Sequence, residues 1–294
     1  MIARVLIAAA LVSGVGLAQA PGPNSPSTFK ATTVVVGVDV SVRRGNTPIP
    51  GLTAADFELF DNGIRQRIES LAVEAVPIDV TLAIDTSGSV INDLEAFKSE
   101  VRQFVRLLRP VDRVRVIAIA TGVDEVVAMT PPTGDLDLRG LKAGGFTSTN
   151  DGLVYALLWP TEVDRRHLVI ALTDGIDTQS TLESSTVVDA ASRARAVFHL
   201  VLVDGLGPLM SGWQRSARDA VVEAAKRSGG AIHDLRRASS DFKRIFDDFR
   251  ASYVLRYSPE GVSREGWHDV KVGLRVPDAS KLTIRAKQGY WSGT

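Results

Sequence analysis

The stretch VTLAIDTSGSV, Val80 to Val90, joins an apolar, β-branched run to Asp85 and then to Ser87 and Ser89, with one glycine between the serines. Extended back to Ile78, the run is nearly continuous in apolar residues, as expected of a strand covered on both faces in a parallel sheet. Such a strand ends at the carboxyl edge of the sheet, where open α/β folds bind their ligands. A carboxylate and two hydroxyls at that edge therefore mark a candidate site.

Outward from this strand the pattern alternates. Leu94, Phe97, Val101, Phe104, Val105 and Leu108 recur at spacings of three and four, which predicts an amphipathic helix stopping at Pro110. Strands are predicted for RVRVIAIAT from Arg113, for EVVAMT from Glu125, for HLVIALTD from His167, for VFHLVLVD from Val197 and for GAIHDL from Gly230. Between and after them lie helical patterns at 149–158, in TVVDAASRARA, in QRSARDAVVEAAKRSG and in DFKRIFDDFRASY. Alternation of this kind predicts an α/β fold: a doubly wound, mainly parallel sheet with helices on both faces.

The flanks read as β structure. Thr32 to Val42 is valine-rich, and Asp61-Asn62-Gly63 is a turn signal between FELF and QRIESLAV, which predicts a hairpin. After Tyr253 the runs YVLRYSP, WHDVKVGLRV and KLTIRAKQGYW alternate apolar with polar residues. The economical reading joins both flanks in one small β unit beside the α/β domain. The expected divisions are 1–20, 21–31, 32–76, 77–250 and 251–294.

The first of these, residues 1–20, has one early charge at Arg4, an apolar centre and a closing Ala18-Gln19-Ala20, the pattern of a cleaved signal peptide. The alternative is an uncleaved anchor; the Pro21-Gly22-Pro23 breaker favours cleavage and a mature chain without a membrane span. Residues 21–31 then read as a polar linker, and the exported protein would reside in the periplasm or outside the cell. The 294 residues are 45% hydrophobic and 23% charged, enough for one large domain and a smaller one. Lys plus Arg equals Asp plus Glu at 34 each, without long like-charge blocks, so no nucleic-acid footprint is present. The chain has no cysteine, which excludes disulfides and thiolate metal sites.

Three polar clusters fall at predicted strand ends or in the loop between them: Asp85, Ser87 and Ser89; Thr147 and Thr149 in GGFTSTNDG; and Asp174 with Asp177 in LTDGID. Carboxylates and hydroxyls form a hard-oxygen set suited to Mg²⁺, with Mn²⁺ or Ca²⁺ as alternatives. The arrangement resembles the von Willebrand factor A domain and its metal-ion-dependent adhesion site. That family's motif is Asp-x-Ser-x-Ser after the first strand, a threonine in a mid-chain loop and an aspartate after the fourth strand. Asp85-Thr86-Ser87-Gly88-Ser89 matches the first element and Asp174 the last. The middle element departs from the frequent Gly-Gly-Thr by one inserted residue, reading Gly144-Gly145-Phe146-Thr147; Thr149 is the alternative to Thr147. The flanks, GLTAADFELFDNGIRQRIESL before the domain and ASYVLRYSPEG through KQGYW after it, resemble the exported bacterial subfamily called VWFA-related.

The resemblance implies a non-enzymatic, exported protein-binding or adhesion module. In it Ser87, Ser89 and Thr147 ligate the cation directly or through water, Asp85 and Asp174 supply charge and orient waters, and a partner's Asp or Glu carboxylate completes the shell. Three other readings compete. Asp85 and its serines alone could cap a helix N-terminus. The protein could be a structural or assembly module that binds through its β flanks with a silent metal site. A hydrolase is disfavoured, because Ser87 and Ser89 have no evident histidine partner and no nucleophile elbow, Walker loop or dinucleotide fingerprint appears. Asp177 and Asp151 read as loop-bracing or capping groups, and His167, His199, His233 and His268 as structural histidines.

Overall fold

The computed structural model describes residues 35–73, 76–132, 135–162, 164–202, 212–234 and 238–293. Residues 1–20 and 21–31, expected from the sequence to be a signal peptide and a linker, lie outside them. In chain order come β1 (Val36–Arg44), β2 (Thr47–Pro48), β3 (Phe57–Asp61), β4 (Ile64–Gln66) and β5 (Ser70–Ala72). The α/β part follows: β6 (Ile78–Asp85), α1 (Leu94–Val105), β7 (Arg113–Ile119), β8 (Val123–Thr130), α2 (Thr149–Leu157), β9 (Arg166–Thr173), α3 (Ser184–Arg193), β10 (Ala196–Leu202), α4 (Gly212–Arg227), β11 (Ile232–Asp234) and α5 (Ala238–Ala251). The chain closes with β12 (Tyr253–Tyr257), β13 (Gly266–Leu274), β14 (Thr283–Ala286) and β15 (Gly289–Ser292).

The central sheet has the order β11-β10-β9-β6-β7-β8. Every pairing in it is parallel except β7 with β8, which is antiparallel and bulged, so the sheet is mixed. Every residue of β6 and β9 is buried, the consequence of helices on both faces. On one face α1 and α5 share a core in which Phe104 packs edge-on against Phe242 and Phe246. On the other, α2, α3 and α4 bring mainly alanines and valines against Ala83, Val169, Ala171 and Phe198. Gly152 lets α2 lie close on β7, since a Cβ there would fall 2.5 Å from the Ile119 side chain. That contact sets the N-terminus of α2 at the carboxyl edge.

The outer strands form two further sheets. One has the order β14-β1-β12-β5 with β2 on β1, the other β15-β13-β3-β4. Both draw on the two ends of the chain: β1 sits between β12 and β14, and β3 between β4 and β13. Val38, Val40, Phe57, Leu59, Tyr253, Leu255 and Tyr257 share one core. The hairpin at Asn62-Gly63 has positive φ at both residues, 48° and 79°, as a two-residue turn between twisted strands requires. Two predicted strands divide. Of QRIESLAV only Gln66 belongs to the hairpin strand β4, which begins at Ile64, while Ser70–Ala72 form β5 in the other sheet, and KLTIRAKQGYW gives β14 on β1 and β15 on β13. The second division falls just before Gly289, where a Cβ would strike the His268 carbonyl at 2.3 Å, so the backbone approaches β13 too closely for any side chain.

The amino edge of the central sheet is held by buried charge. Asp79 receives both Arg113 (2.8 and 2.6 Å) and Arg165 (2.6 Å). Burial pushes the Asp79 carboxyl up, and hydrogen bonds from the two arginines more than reverse this, holding it below its usual value. Arg166 reaches Asp39 of β1 at 2.7 Å, and Asp248 of α5 pairs with Arg43 and Arg285 from the outer sheet.

The histidines are all engaged in the interior. His167 bonds Thr81 Oγ1 through Nε2 at 2.9 Å, His199 meets His233 at 2.9 Å, and His268 Nδ1 meets Asp61 at 2.8 Å. Burial, helped by the positive Arg115, lowers His167 to about 4. A histidine in the unfolded chain titrates near 6.5, so between about 6.5 and 4 the unfolded chain binds more protons than the fold. Stability should be level above that window and fall as pH drops through it, by at most about 1.4 kcal/mol per pH unit from this group. Urea denaturation across the window should show a shallower fall for His167→Gln than for the wild type.

Candidate functional site

Strand β6 delivers Asp85 to the carboxyl edge, and the chain folds back at once: Ser87 N–H donates to Asp85 Oδ1 at 2.9 Å. Thr86 N–H donates to the Ile119 carbonyl at 2.8 Å, tying the turn to the end of β7. The Ser87 and Ser89 hydroxyls then lie 3.0 Å apart. Ser87 is buried, whereas Ser89 is exposed.

The loop before α2 is stitched to this turn. Gly144 N–H donates to the Thr86 carbonyl at 2.8 Å, and Gly88 N–H to the Gly145 carbonyl at 3.2 Å. Gly145 has φ 81°, and a Cβ there would fall 2.4 Å from Thr121 Oγ1, so this approach needs glycine. Thr147 N–H is held by Thr178 Oγ1 at 2.9 Å, while its own hydroxyl makes no hydrogen bond among the described residues. The Thr149 hydroxyl instead donates to the Ile176 carbonyl at 2.7 Å. Of the two threonines, only Thr149 commits its hydroxyl to a hydrogen bond among the described residues.

The third segment comes from β9. Thr173 Oγ1 donates to Asp85 Oδ2 at 2.8 Å, and Asp174 Oδ1 accepts from Ile176 N–H at 2.8 Å. Asp177 braces the turn, accepting from Asn150 N–H at 2.9 Å and Ser180 N–H at 3.0 Å. Asp151 accepts from Thr181 and Leu182 N–H at 3.0 and 2.9 Å. Both are consumed by backbone donors. Thr173 was not singled out in the sequence; its signal is a hydroxyl directly before the strand-end aspartate.

Asp85 is 0% and Asp174 4% exposed, and neither forms an ion pair with a described residue. Burial pushes the Asp85 carboxyl up; hydrogen bonds from Ser87 and Thr173 oppose this, and the negative charge of Asp174 adds to it. Buried carboxylates without counter-charge are costly, so the chemistry of the place calls for a cation or a proton. The donor set is two carboxylates and the hydroxyls of Ser87, Ser89 and Thr147, which suits a hard divalent ion. Among the described residues no three His, Cys, Asp or Glu side chains cluster closely enough to hold a metal by themselves, so any cation here depends on hydroxyl oxygens.

No protein-family model and no curated protein matches the sequence. Among solved structures, proximal thread matrix protein 1 from the mussel byssus is similar with a TM-score of 0.50 and 15% identity, over 65% of this chain and 51% of that one. A von Willebrand factor type A structure from Catenulispora acidiphila gives 0.46 and 14% identity over 88% and 73%. The conserved hypothetical protein BatB from Bacteroides thetaiotaomicron gives 0.45 and 15% over 58% and 98%. These are likenesses of fold. The fold of this chain is an α/β body around a mixed sheet.

If the two carboxylates repel, neutralising one should relieve the fold. In metal-free buffer near neutral pH, Asp85→Asn should raise the unfolding free energy by about 1 kcal/mol, read by urea denaturation.

Proposed function

We propose that this protein is an exported, non-enzymatic interaction module that captures a carboxylate of a partner protein through a divalent cation, most simply Mg²⁺. The observation that supports the reading is the pair of buried carboxylates, Asp85 and Asp174, at the carboxyl edge of the central sheet, with no ion pair to either among the described residues. Ser87, Ser89 and Thr147 would hold the ion with them, and Thr173 keeps Asp85 oriented through its 2.8 Å bond. When bound, the cation supplies positive charge and an open position for an anionic oxygen. The protein's own part is to fix five oxygens on three stitched segments and to keep Asp85 and Asp174 out of bulk water, where their attraction for a cation would be screened.

Export rests on the pattern of residues 1–20, and the remaining divisions of the chain on the shift from β to α/β periodicity and back. No helix among the described residues is long and apolar enough to cross a membrane. The binding reading is favoured over hydrolysis because the Ser87 hydroxyl meets Ser89, while the four histidines bond Thr81, one another and Asp61 elsewhere. A silent site with binding through the outer sheets is the competing reading, and the short edge strands of those sheets, β4, β5, β14 and β15, are the places to disrupt.

Calorimetric titration of the metal-stripped chain from residue 21 onward should show saturable Mg²⁺ or Mn²⁺ binding that disappears in Asp85→Ala while far-ultraviolet dichroism is unchanged. Equal binding heats in both proteins would reject the site.

A further inference from the structure

The outer sheet β15-β13-β3-β4 carries a groove of about 290 Å³ in whose lining Phe57, Glu58, Arg65, Arg67, Ile68 and Arg275 come together. Three guanidinium groups and one carboxylate make it basic, and the acids near it are already committed. The pairs Phe60–Arg65 and Leu59–Gln66 set Glu58 across from Arg67 when their register is extended by one residue, yet Glu58 turns the other way. Gly273 of β13 leaves room for it, since a Cβ there would fall 2.9 Å from Glu58 Cγ, and the Glu58 carboxylate meets Arg275 Nε at 3.4 Å. Asp56, next to Phe57, accepts from the Thr53 N–H and hydroxyl at 2.7 and 2.8 Å. Arg65 and Arg67 are exposed, and neither guanidinium has an ion pair, hydrogen bond or ring contact among the described residues. The chain between them is fixed: Gln66 is buried, and its side-chain amide bonds both the carbonyl and the N–H of Glu260, at 3.0 and 2.9 Å.

We propose that this groove binds an extended, acidic segment of a partner protein in which Asp or Glu occupies alternate positions. Residues i and i+2 of an extended chain share a face and lie about 6.6 Å apart. Arg65 and Arg67 stand at that spacing, and a partner's carboxylates at i and i+2 repeat it, so both pairs form in register. Strand β4 ends its sheet, the place where an extended segment can be added. Charge on an edge strand ordinarily guards it against pairing with another chain; two like charges repel a second copy of this edge and attract an acidic one, so the guard is also the selector. A helical partner would turn its i and i+2 acids to different faces. A single-stranded nucleic acid would want aromatic faces beside the charges, and the aromatic ring in the lining, Phe57, is 3% exposed. The site needs no metal and is independent of the carboxylate-capture reading.

The test titrates the ¹⁵N-labelled chain from residue 21 onward, in low salt with a chelator present, with two capped peptides of equal charge, acetyl-Thr-Glu-Thr-Glu-Thr-amide and acetyl-Thr-Glu-Glu-Thr-Thr-amide, and with a thymidine pentanucleotide. The alternating peptide should shift the amide signals of Arg65, Gln66, Arg67 and Ile68 and bind about threefold more tightly than the adjacent one, the effect of one exposed ion pair. Arg65→Gln combined with Arg67→Gln should weaken the alternating peptide about tenfold, what two such pairs supply together in favourable geometry, and erase the preference, with dichroism unchanged. Equal affinity of the wild type for the two peptides, absence of binding, shifts confined to other parts of the chain, undiminished binding by the double variant, or tighter binding of the pentanucleotide than of the alternating peptide overturns the proposal. Because the chelator is present throughout, none of these outcomes bears on the metal reading.

Discussion

The register of β6 on β9 governs the carboxyl edge. With Ile84 opposite Leu172, the next residues on the two strands are Asp85 and Thr173, and Asp174 follows immediately. Two acids are thereby brought toward each other where Asp85 accepts from the Ser87 N–H and the Thr173 hydroxyl, and Asp174 from the Ile176 N–H. A one-residue slip in a strand exchanges its faces, and both strands are apolar across both faces, so the register cannot be set by an in-and-out pattern. It is fixed instead at the opposite edge, where Asp79 binds Arg113 and Arg165, and the Arg166 N–H donates to the Pro77 carbonyl. Paired charge at one end of the sheet holds unpaired charge in place at the other.

Much of this was legible in the chain. The uninterrupted apolar runs at Ile78 and His167 announced buried parallel strands, and the three-and-four spacing from Leu94 announced α1, of which Leu94, Phe97, Val101, Phe104 and Val105 are buried. The helix ends five residues before Pro110, as tertiary packing takes over from the periodic signal. The polar residues at strand ends were legible as a set because the topology brings such ends together. The use of individual hydroxyls was not. Thr147 and Thr149 are equivalent in composition, and only the fold decides that the Thr149 hydroxyl is spent on the Ile176 carbonyl. Thr173 was hidden for the same reason, since its role depends on a neighbour 88 residues away.

The outer sheets were harder to read. Alternation identified their strands without naming partners, and two runs that look continuous each serve two sheets. Glycine supplied the missing information at one of these breaks. At Gly289 the backbone passes so near β13 that only glycine fits, a requirement at a single position that no averaged propensity reports.

The interleaving of the two chain ends has a further consequence for how the molecule is made. Strand β1 has no neighbour except β2 until β12 and β14 exist, and the Tyr253 hydroxyl closes on the Ile49 carbonyl across 204 residues. A chain emerging from its amino end thus leaves a valine-rich strand paired only with β2 until the carboxyl-terminal strands are made. The central sheet has mostly shorter closures and can assemble in the meantime, while the outer sheets wait on the last forty or so residues, a high-contact-order step of the kind that is slow and vulnerable to mispairing. The carboxyl-terminal strands therefore set the moment at which β1 gains its main partners.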